Sequence, residues 1–185
     1  MDGNRDSTVL RGGTIVDGTG APARKGDVLL RDGRIAALGE VPADAGSSLD
    51  CTGKVIAPGF IDAHSHMDFF SASGDPRHFD SFTAQGVTTF VSGNCGFSPF
   101  GFTPSTRYRS LLEGSLFKAG CETLDWNSFS EYAAVLDELG LTHNFVHLVG
   151  HGSARTSLSG FEARPLEPME YREMLSLLDC AMQEG

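Results

Sequence analysis

Three apolar runs, each followed by a stretch with helical spacing, constrain this chain more than any other feature. Residues 55–61 (Val-Ile-Ala-Pro-Gly-Phe-Ile), 87–92 (Val-Thr-Thr-Phe-Val-Ser) and 144–149 (Asn-Phe-Val-His-Leu-Val) read as buried strands. After the first, Asp75-Pro76 supplies an N-cap and a first-turn proline, Phe79, Phe82 and Thr83 share a face, and Gly86 ends the helix. After the second, Ser128-x-x-Glu131 is a capping box opening a helix with Phe129, Tyr132, Ala133, Leu136 and Leu139 inward and Gly140 at its end. After the third, a helix starts near Glu167-Pro168 and carries Tyr171, Met174, Leu175, Leu178, Ala181 and Met182 at helical spacing. Strands alternating with helices imply a parallel sheet, so residues 58–185 belong to the α/β class. Three units suit an open doubly wound sheet or part of an eight-stranded barrel. No glycine-rich phosphate motif follows the first strand, so a nucleotide fold gains no support. A complete barrel takes about 250 residues, and this chain reads as the front part of something longer.

Residues 1–57 follow a different pattern, that of a small β module. Val9-Leu10 and Thr14-Ile15-Val16 read as short strands separated by Gly12-Gly13. Asp27-Val28-Leu29-Leu30 and Arg34-Ile35-Ala36-Ala37-Leu38 flank Arg31-Asp32-Gly33, a hairpin signature. Residues 42–48 are loop by their Pro, Gly and Ser content.

The chemistry collects where the strands end. On a strand, side chains at i and i+2 share a face, so Phe60, Asp62, His64, His66 and Asp68 lie on one side, with the imidazoles at the C-terminal end. The second strand leads to Cys95 and the third to His151. In parallel α/β folds the functional face lies beyond these ends. A thiolate with imidazoles points to zinc rather than magnesium or calcium, which makes His64, His66 and Cys95 the candidate metal ligands. Asp68 is a candidate for orienting a metal-bound imidazole, His151 for a substrate-side or supporting role, and Arg155 for holding a substrate carboxylate through its planar fork. Asp62 and His147 read as structural, and His78 and His143 as solvated. A long excursion over residues 97–125 includes Phe97, Phe100 and Phe102, which either line an apolar pocket or pack the loop, and a short helix around residues 106–117.

Composition narrows the partners. A net charge of -10 and a pI near 4.9 disfavour nucleic acid and anionic membranes. No apolar run approaches the roughly 20 residues of a membrane span, and the opening residues lack a signal-peptide pattern. Cys51, Cys95, Cys121 and Cys180 are scattered without a C-x-x-C, as thiols or ligands would be in a reducing cytoplasm.

Residues 57–66, Ala-Pro-Gly-Phe-Ile-Asp-Ala-His-Ser-His, resemble the opening barrel strand of the metal-dependent amidohydrolase superfamily. The Val16-Asp17-Gly18-Thr19-Gly20 turn and the Asp32-Gly33-Arg34-Ile35 hairpin resemble its N-terminal β segment. Gly86-Val87-Thr88-Thr89, Gly93-Asn94-Cys95-Gly96-Phe97-Ser98, Leu148-Val149-Gly150-His151-Gly152 and Arg155 together resemble the N-acyl-D-amino-acid deacylases, with one departure at Met67, where that family often has an acidic residue. The resemblance implies the N-terminal part of a (β/α)8 barrel, of TIM type, preceded by a β-sandwich segment, with about three of eight strand-helix units present. It implies zinc bound by His64, His66 and Cys95, and hydrolysis of an N-acyl-D-amino acid to a D-amino acid and a carboxylate. It also implies that two further histidine ligands and the aspartate general base lie beyond Gly185. Two rival readings stay open. A cyclic-amide hydrolase of the hydantoinase or dihydroorotase kind shares the H-x-H strand but bridges its metals with a lysine from the fourth strand. A truncated, non-catalytic fragment is the other.

Overall fold

The computed structural model describes residues 7–114 and 123–185. The chain separates into two compact units, Met1–Pro58 and Gly59–Gly185.

The first unit is a sheet of β1 (Ser7–Ile15), β2 (Arg24–Arg31), β3 (Arg34–Gly39), β4 (Ser47–Asp50) and β5 (Val55–Ile56). Its order is β3-β2-β1-β4, with β5 also pairing β1 in parallel. The two short runs expected on either side of Gly12-Gly13 form one strand, because a bulge between Leu10 and Gly13 absorbs the extra residues. Asp27 holds that bulge, accepting the Gly12 N–H at 2.8 Å and the Arg11 guanidinium at 2.7 Å. Asp32 and Gly33 both take positive φ, as a tight hairpin between twisted strands requires. Val9, Leu29 and Val41 form the small core.

The apolar run at 55–61, read from sequence as one buried strand, is divided. Val55-Ile56 closes the first unit, Pro58 has no N–H to continue a ladder, and a new strand begins at Phe60.

The second unit is built on three parallel strands, β6 (Phe60–Ser65), β7 (Val87–Ser92) and β8 (Asn144–His147), in the order β6-β7-β8. Burial is one-sided on β7 and β8 but not on β6. Phe90, fully buried on β7, meets Met67, Phe79, Phe82 and Phe145, a contact set that stabilises by roughly 1.5–3 kcal/mol for a side chain of this size. Phe60 and Ile61 are instead 61% and 64% exposed, and Val146 and Leu148 are exposed too. β6 is therefore not the buried strand its composition suggested: it pairs only with β7 among the described residues.

Helices cover the other face. Asp75 caps a 3-10 turn, Pro76–Phe79, by accepting the Arg77 N–H, and the turn runs into α2 (Asp80–Thr83). Before it, α1 (Asp68–Ser71) is a single turn that no sequence signal announced. In the excursion, α3 spans Arg109–Leu112; the remainder of the helix expected to residue 117, and Cys121, lie outside the described residues. Phe100 and Phe102 are buried with Leu112, Leu124, Trp126, Tyr132 and Leu136 and so pack the loop, and Phe100 also borders a cavity with Phe129, Val149 and Ala181. The Ser128–Glu131 capping box opens α4 (Phe129–Leu139) as expected. The segment after β8, to which the sequence assigned no element, is α5 (His151–Ser159). A second capping box, Glu167 with Glu170, opens α6 (Pro168–Glu184). Of its apolar stripe, Met174 and Ala181 are buried, whereas Tyr171, Leu175 and Met182 are exposed. No described helix is long and apolar enough to cross a membrane.

Two features of this packing give measurable outcomes. Gly93 sits at φ +87°, and a Cβ there would lie 2.1 Å from the Leu148 carbonyl oxygen. Gly93→Ala is expected to destabilise the protein by more than about 2 kcal/mol in urea unfolding, against about 1 kcal/mol for Gly140→Ala, where a Cβ meets nothing within 4 Å. His147 is packed among Phe100, Phe129, Tyr132 and Phe145, and burial lowers its pKa from 6.5 to about 4. The unfolded state therefore binds the extra proton, and this contribution, full above pH 6.5, is lost as pH falls toward 4, by up to about 3 kcal/mol. Unfolding free energies of the metal-free protein and His147→Asn, compared across that window, are expected to converge at low pH by this amount; parallel curves would contradict it.

Candidate metal centre

Parallel pairing sets Ser65 opposite Ser92, so the chain leaving β6 and the chain leaving β7 rise side by side. The first carries His64 and, just beyond the strand, His66. The second turns at once, closed by the Gly96 N–H on the Gly93 carbonyl at 2.9 Å, and Cys95 stands on this turn. Asn94 ties the turn back to both strands, its amide donating to the carbonyls of Ala63 at 3.2 Å and Val91 at 3.3 Å.

The result is a compact donor set. His64 Nε2 lies 3.1 Å from Cys95 Sγ, and the ligand atoms of His64, His66 and Cys95 all fall within 4.8 Å of one another. All three residues are exposed. The two imidazoles meet edge to face, with centroids 5.8 Å apart, and the His66 ring stacks on Phe69 at 5.3 Å. The Phe69 N–H donates to the His66 carbonyl at 3.2 Å, so α1 supports this histidine through backbone and ring alike.

These residues fit a zinc ion. Bonds of about 2.0–2.1 Å to nitrogen and about 2.3 Å to sulfur place tetrahedral ligands roughly 3.3–3.8 Å apart. The His64–Cys95 pair is already near that spacing, and rotation of the exposed side chains closes the remainder. One soft thiolate with two imidazoles selects zinc over oxygen-seeking magnesium or calcium.

The other sequence candidates are placed differently. Asp68 is only 1% exposed and lies beside Ser92, not in the open donor set. Its carboxylate oxygens complete no well-formed hydrogen bond among the described residues, and burial, outweighing the nearby Ser92 hydroxyl and backbone N–H groups, raises its pKa to about 7. Asp62 accepts the His64 N–H at 3.2 Å. His151, exposed, opens α5, whose start packs on the turn after Cys95: the Ser153 N–H donates to the Gly96 carbonyl at 3.1 Å. It is not one of the three clustered donors. Arg155 donates to the carbonyls of Glu162 and Arg164, so its guanidinium is engaged by the loop following α5. His143, expected to be solvated, is buried between Thr83 and Thr142 and stacked on Phe79. His78 is exposed, against Phe70. Phe69, Ser92 and Asn94 were not singled out from sequence. Only Asn94, between Gly93 and Cys95, carried a usable signal.

No protein-family model matches the chain. Among curated proteins, it is 35% identical to an N-acyl-D-aspartate deacylase, 34% to a D-aminoacylase and 32% to an N-acyl-D-glutamate deacylase, all of Alcaligenes xylosoxydans xylosoxydans. Each match covers 96% of this chain and 34–36% of the relative, so the chain spans about a third of their length. Among solved structures, a D-aminoacylase described for its binuclear metal centre matches with a TM-score of 0.78 at 32% identity, over 96% of this chain and 36% of that one. The N-acyl-D-glutamate deacylase of Bordetella bronchiseptica, complexed with zinc and a phosphonate inhibitor that mimics the tetrahedral intermediate, matches at 0.76 and 32%, over 97% and 37%. In sequence and in backbone, then, the chain is similar over almost its whole length to the N-acyl-D-amino-acid deacylases, of which it spans about a third.

Proposed function

We propose that this chain is the metal-binding front part of a zinc-dependent enzyme that hydrolyses N-acyl-D-amino acids to a D-amino acid and a carboxylate. The observation that carries the reading is the convergence of His64, His66 and Cys95 at the C-terminal edge of a parallel sheet. In this reading the three strand-helix units of residues 58–185 open an eight-stranded barrel, and residues 1–57 form part of a composite β-sandwich. The exposed face of β6 and β8 supports it, since Val146 and Leu148 are the apolar side chains a closed barrel would bury.

Zinc held by these side chains supplies Lewis-acid polarisation of the amide carbonyl and a more acidic water. The chain's own residues set the geometry. Cys95 contributes negative charge to the donor set, Asp62 orients the His64 backbone, and Phe69 fixes the plane of the His66 ring. The general base is expected on a later strand, and so is the remaining metal ligation. His151, beside the Cys95 turn, is the residue of this chain best placed to reach substrate, whereas Arg155 is occupied by loop carbonyls.

The protein produced at its natural length with zinc is expected to release free amino acid from N-acetyl-D-amino acids and not from their L enantiomers. Cys95→Ala is expected to lower kcat/KM at least about 100-fold, with zinc content falling in parallel. Full activity in Cys95→Ala would contradict a thiolate-ligated centre and favour the lysine-bridged cyclic-amide hydrolases.

A further inference from the structure

The turn that carries Cys95 and the start of α5 are joined by hydrogen bonds that the proposed hydrolysis does not account for. Their side-chain members are Ser98 and Ser153, which are 1% and 0% exposed. The Ser153 hydroxyl holds the main chain of Ser98 at two points, accepting its N–H at 2.8 Å and donating to its carbonyl at 2.8 Å. The Ser98 hydroxyl reaches the other way, accepting the Gly150 N–H at 2.9 Å and donating to the Phe100 carbonyl at 2.7 Å. A backbone N–H can only donate and a carbonyl can only accept, so the hydrogen of each hydroxyl has one place to go. Both hydroxyls are spent on main-chain groups.

Two further features separate this join from incidental packing. Gly150 is the N-cap of α5 and has no side chain to cap with. Among the N–H groups that a first helical turn leaves without an internal partner, that of Gly150 is taken by Ser98 Oγ and that of Ser153 by the Gly96 carbonyl at 3.1 Å. The cap of α5 is therefore supplied by the residues that follow Cys95. The glycines are the second feature. Neither Gly150 nor Gly152 has positive φ, so backbone conformation does not require glycine at either position. A Cβ at Gly150 would instead lie 2.6 Å from the Gly96 carbonyl oxygen and 2.6 Å from the Ser98 nitrogen, and one at Gly152 would lie 2.8 Å from the same oxygen. Close approach of the two segments excludes a side chain at both.

We propose that Ser98 and Ser153 are positioning residues of the metal centre: by locking residues 96–98 to the start of α5, they hold Cys95 in place beside His64. The proposal rests on the zinc reading of His64, His66 and Cys95. The Cys95 side chain is exposed, so the backbone of its turn must do the positioning. Gly96 transmits the lock, its carbonyl bonded to Ser153 and its N–H closing the turn on Gly93. His151 lies between two members of the lock, Gly150 and Ser153, so the same bonds register the substrate-side histidine with the thiolate. Partners that orient metal ligands from behind act in the same indirect way.

The test uses the protein at its natural length. Zinc affinity is measured by competition with a chromophoric chelator, and thiolate ligation by the visible absorption of the cobalt(II) form. Ser98→Ala and Ser153→Ala are expected to weaken zinc binding about 10-fold and to shift the cobalt–thiolate bands, because each leaves buried main-chain groups of the join without a partner. Leu136→Ala, which removes core packing from α4, is expected to lower the unfolding midpoint and leave affinity and spectrum unchanged. Wild-type affinity and bands in both serine variants, or an equal loss in Leu136→Ala, would overturn the proposal. Hydrogen exchange of the unmodified protein needs no variant to fold. Because coupling is reciprocal, zinc is expected to slow exchange of the Ser98, Gly150 and Ser153 amides about 10-fold more than that of the Tyr171 amide in α6. Uniform slowing, or none, would overturn the proposal. Failure of the zinc reading itself is distinguishable: the unmodified protein would then bind no zinc or show no cobalt–thiolate band.

Discussion

Everything chemical in this chain depends on β6, β7 and β8 pairing in parallel. Antiparallel neighbours would send alternate strand ends to opposite edges; parallel ones bring every C-terminal end to the same edge. His64 and His66 follow one strand, Cys95 the next and His151 the third, so residues up to 87 positions apart, His64 to His151, become neighbours of one edge. The pairing in turn depends on one-sided burial. Phe90, Phe145 and their aromatic partners give the strands an inner side to commit to, and a one-residue slip would turn the polar strand ends into that packing.

The edge that carries His64, His66 and Cys95 is exposed and made of short turns, yet it is not loose. Gly93 lets the chain turn beneath Leu148 without a Cβ, Asn94 laces the turn to both flanking strands, and α5 caps it from the far side through Ser153. His66 has no strand ladder to hold it and is supported by a single helical turn, which is why the buried contacts of Asp68 matter more than that helix's length would suggest. Rigid support under exposed ligands is what a metal centre requires, because binding energy otherwise goes into ordering the ligands.

Sequence alone disclosed the parts of this design that are local. The H-x-H spacing, the cysteine between Asn94 and Gly96, the Asp75 cap and the Ser128–Glu131 box are all signals within a few residues, and each element they mark is present. What depends on distant partners was not legible. The split of the 55–61 run follows from β5 pairing with β1, some 40 residues earlier. The burial of His143 follows from Phe79 and Thr83. α5 lacks a capping side chain and begins at glycine, so nothing in its own residues announced it. Arg155 looked free because the carbonyls that bind it belong to a loop whose path only the fold determines.

The central claim is that His64, His66 and Cys95 form one zinc site. X-ray absorption of the zinc-loaded protein tests it most directly. The account predicts a zinc–sulfur distance of about 2.3 Å from a single thiolate together with imidazole scattering at about 2.0–2.1 Å, the sulfur contribution vanishing in Cys95→Ala. A shell of nitrogen and oxygen alone in the unmodified protein would contradict it.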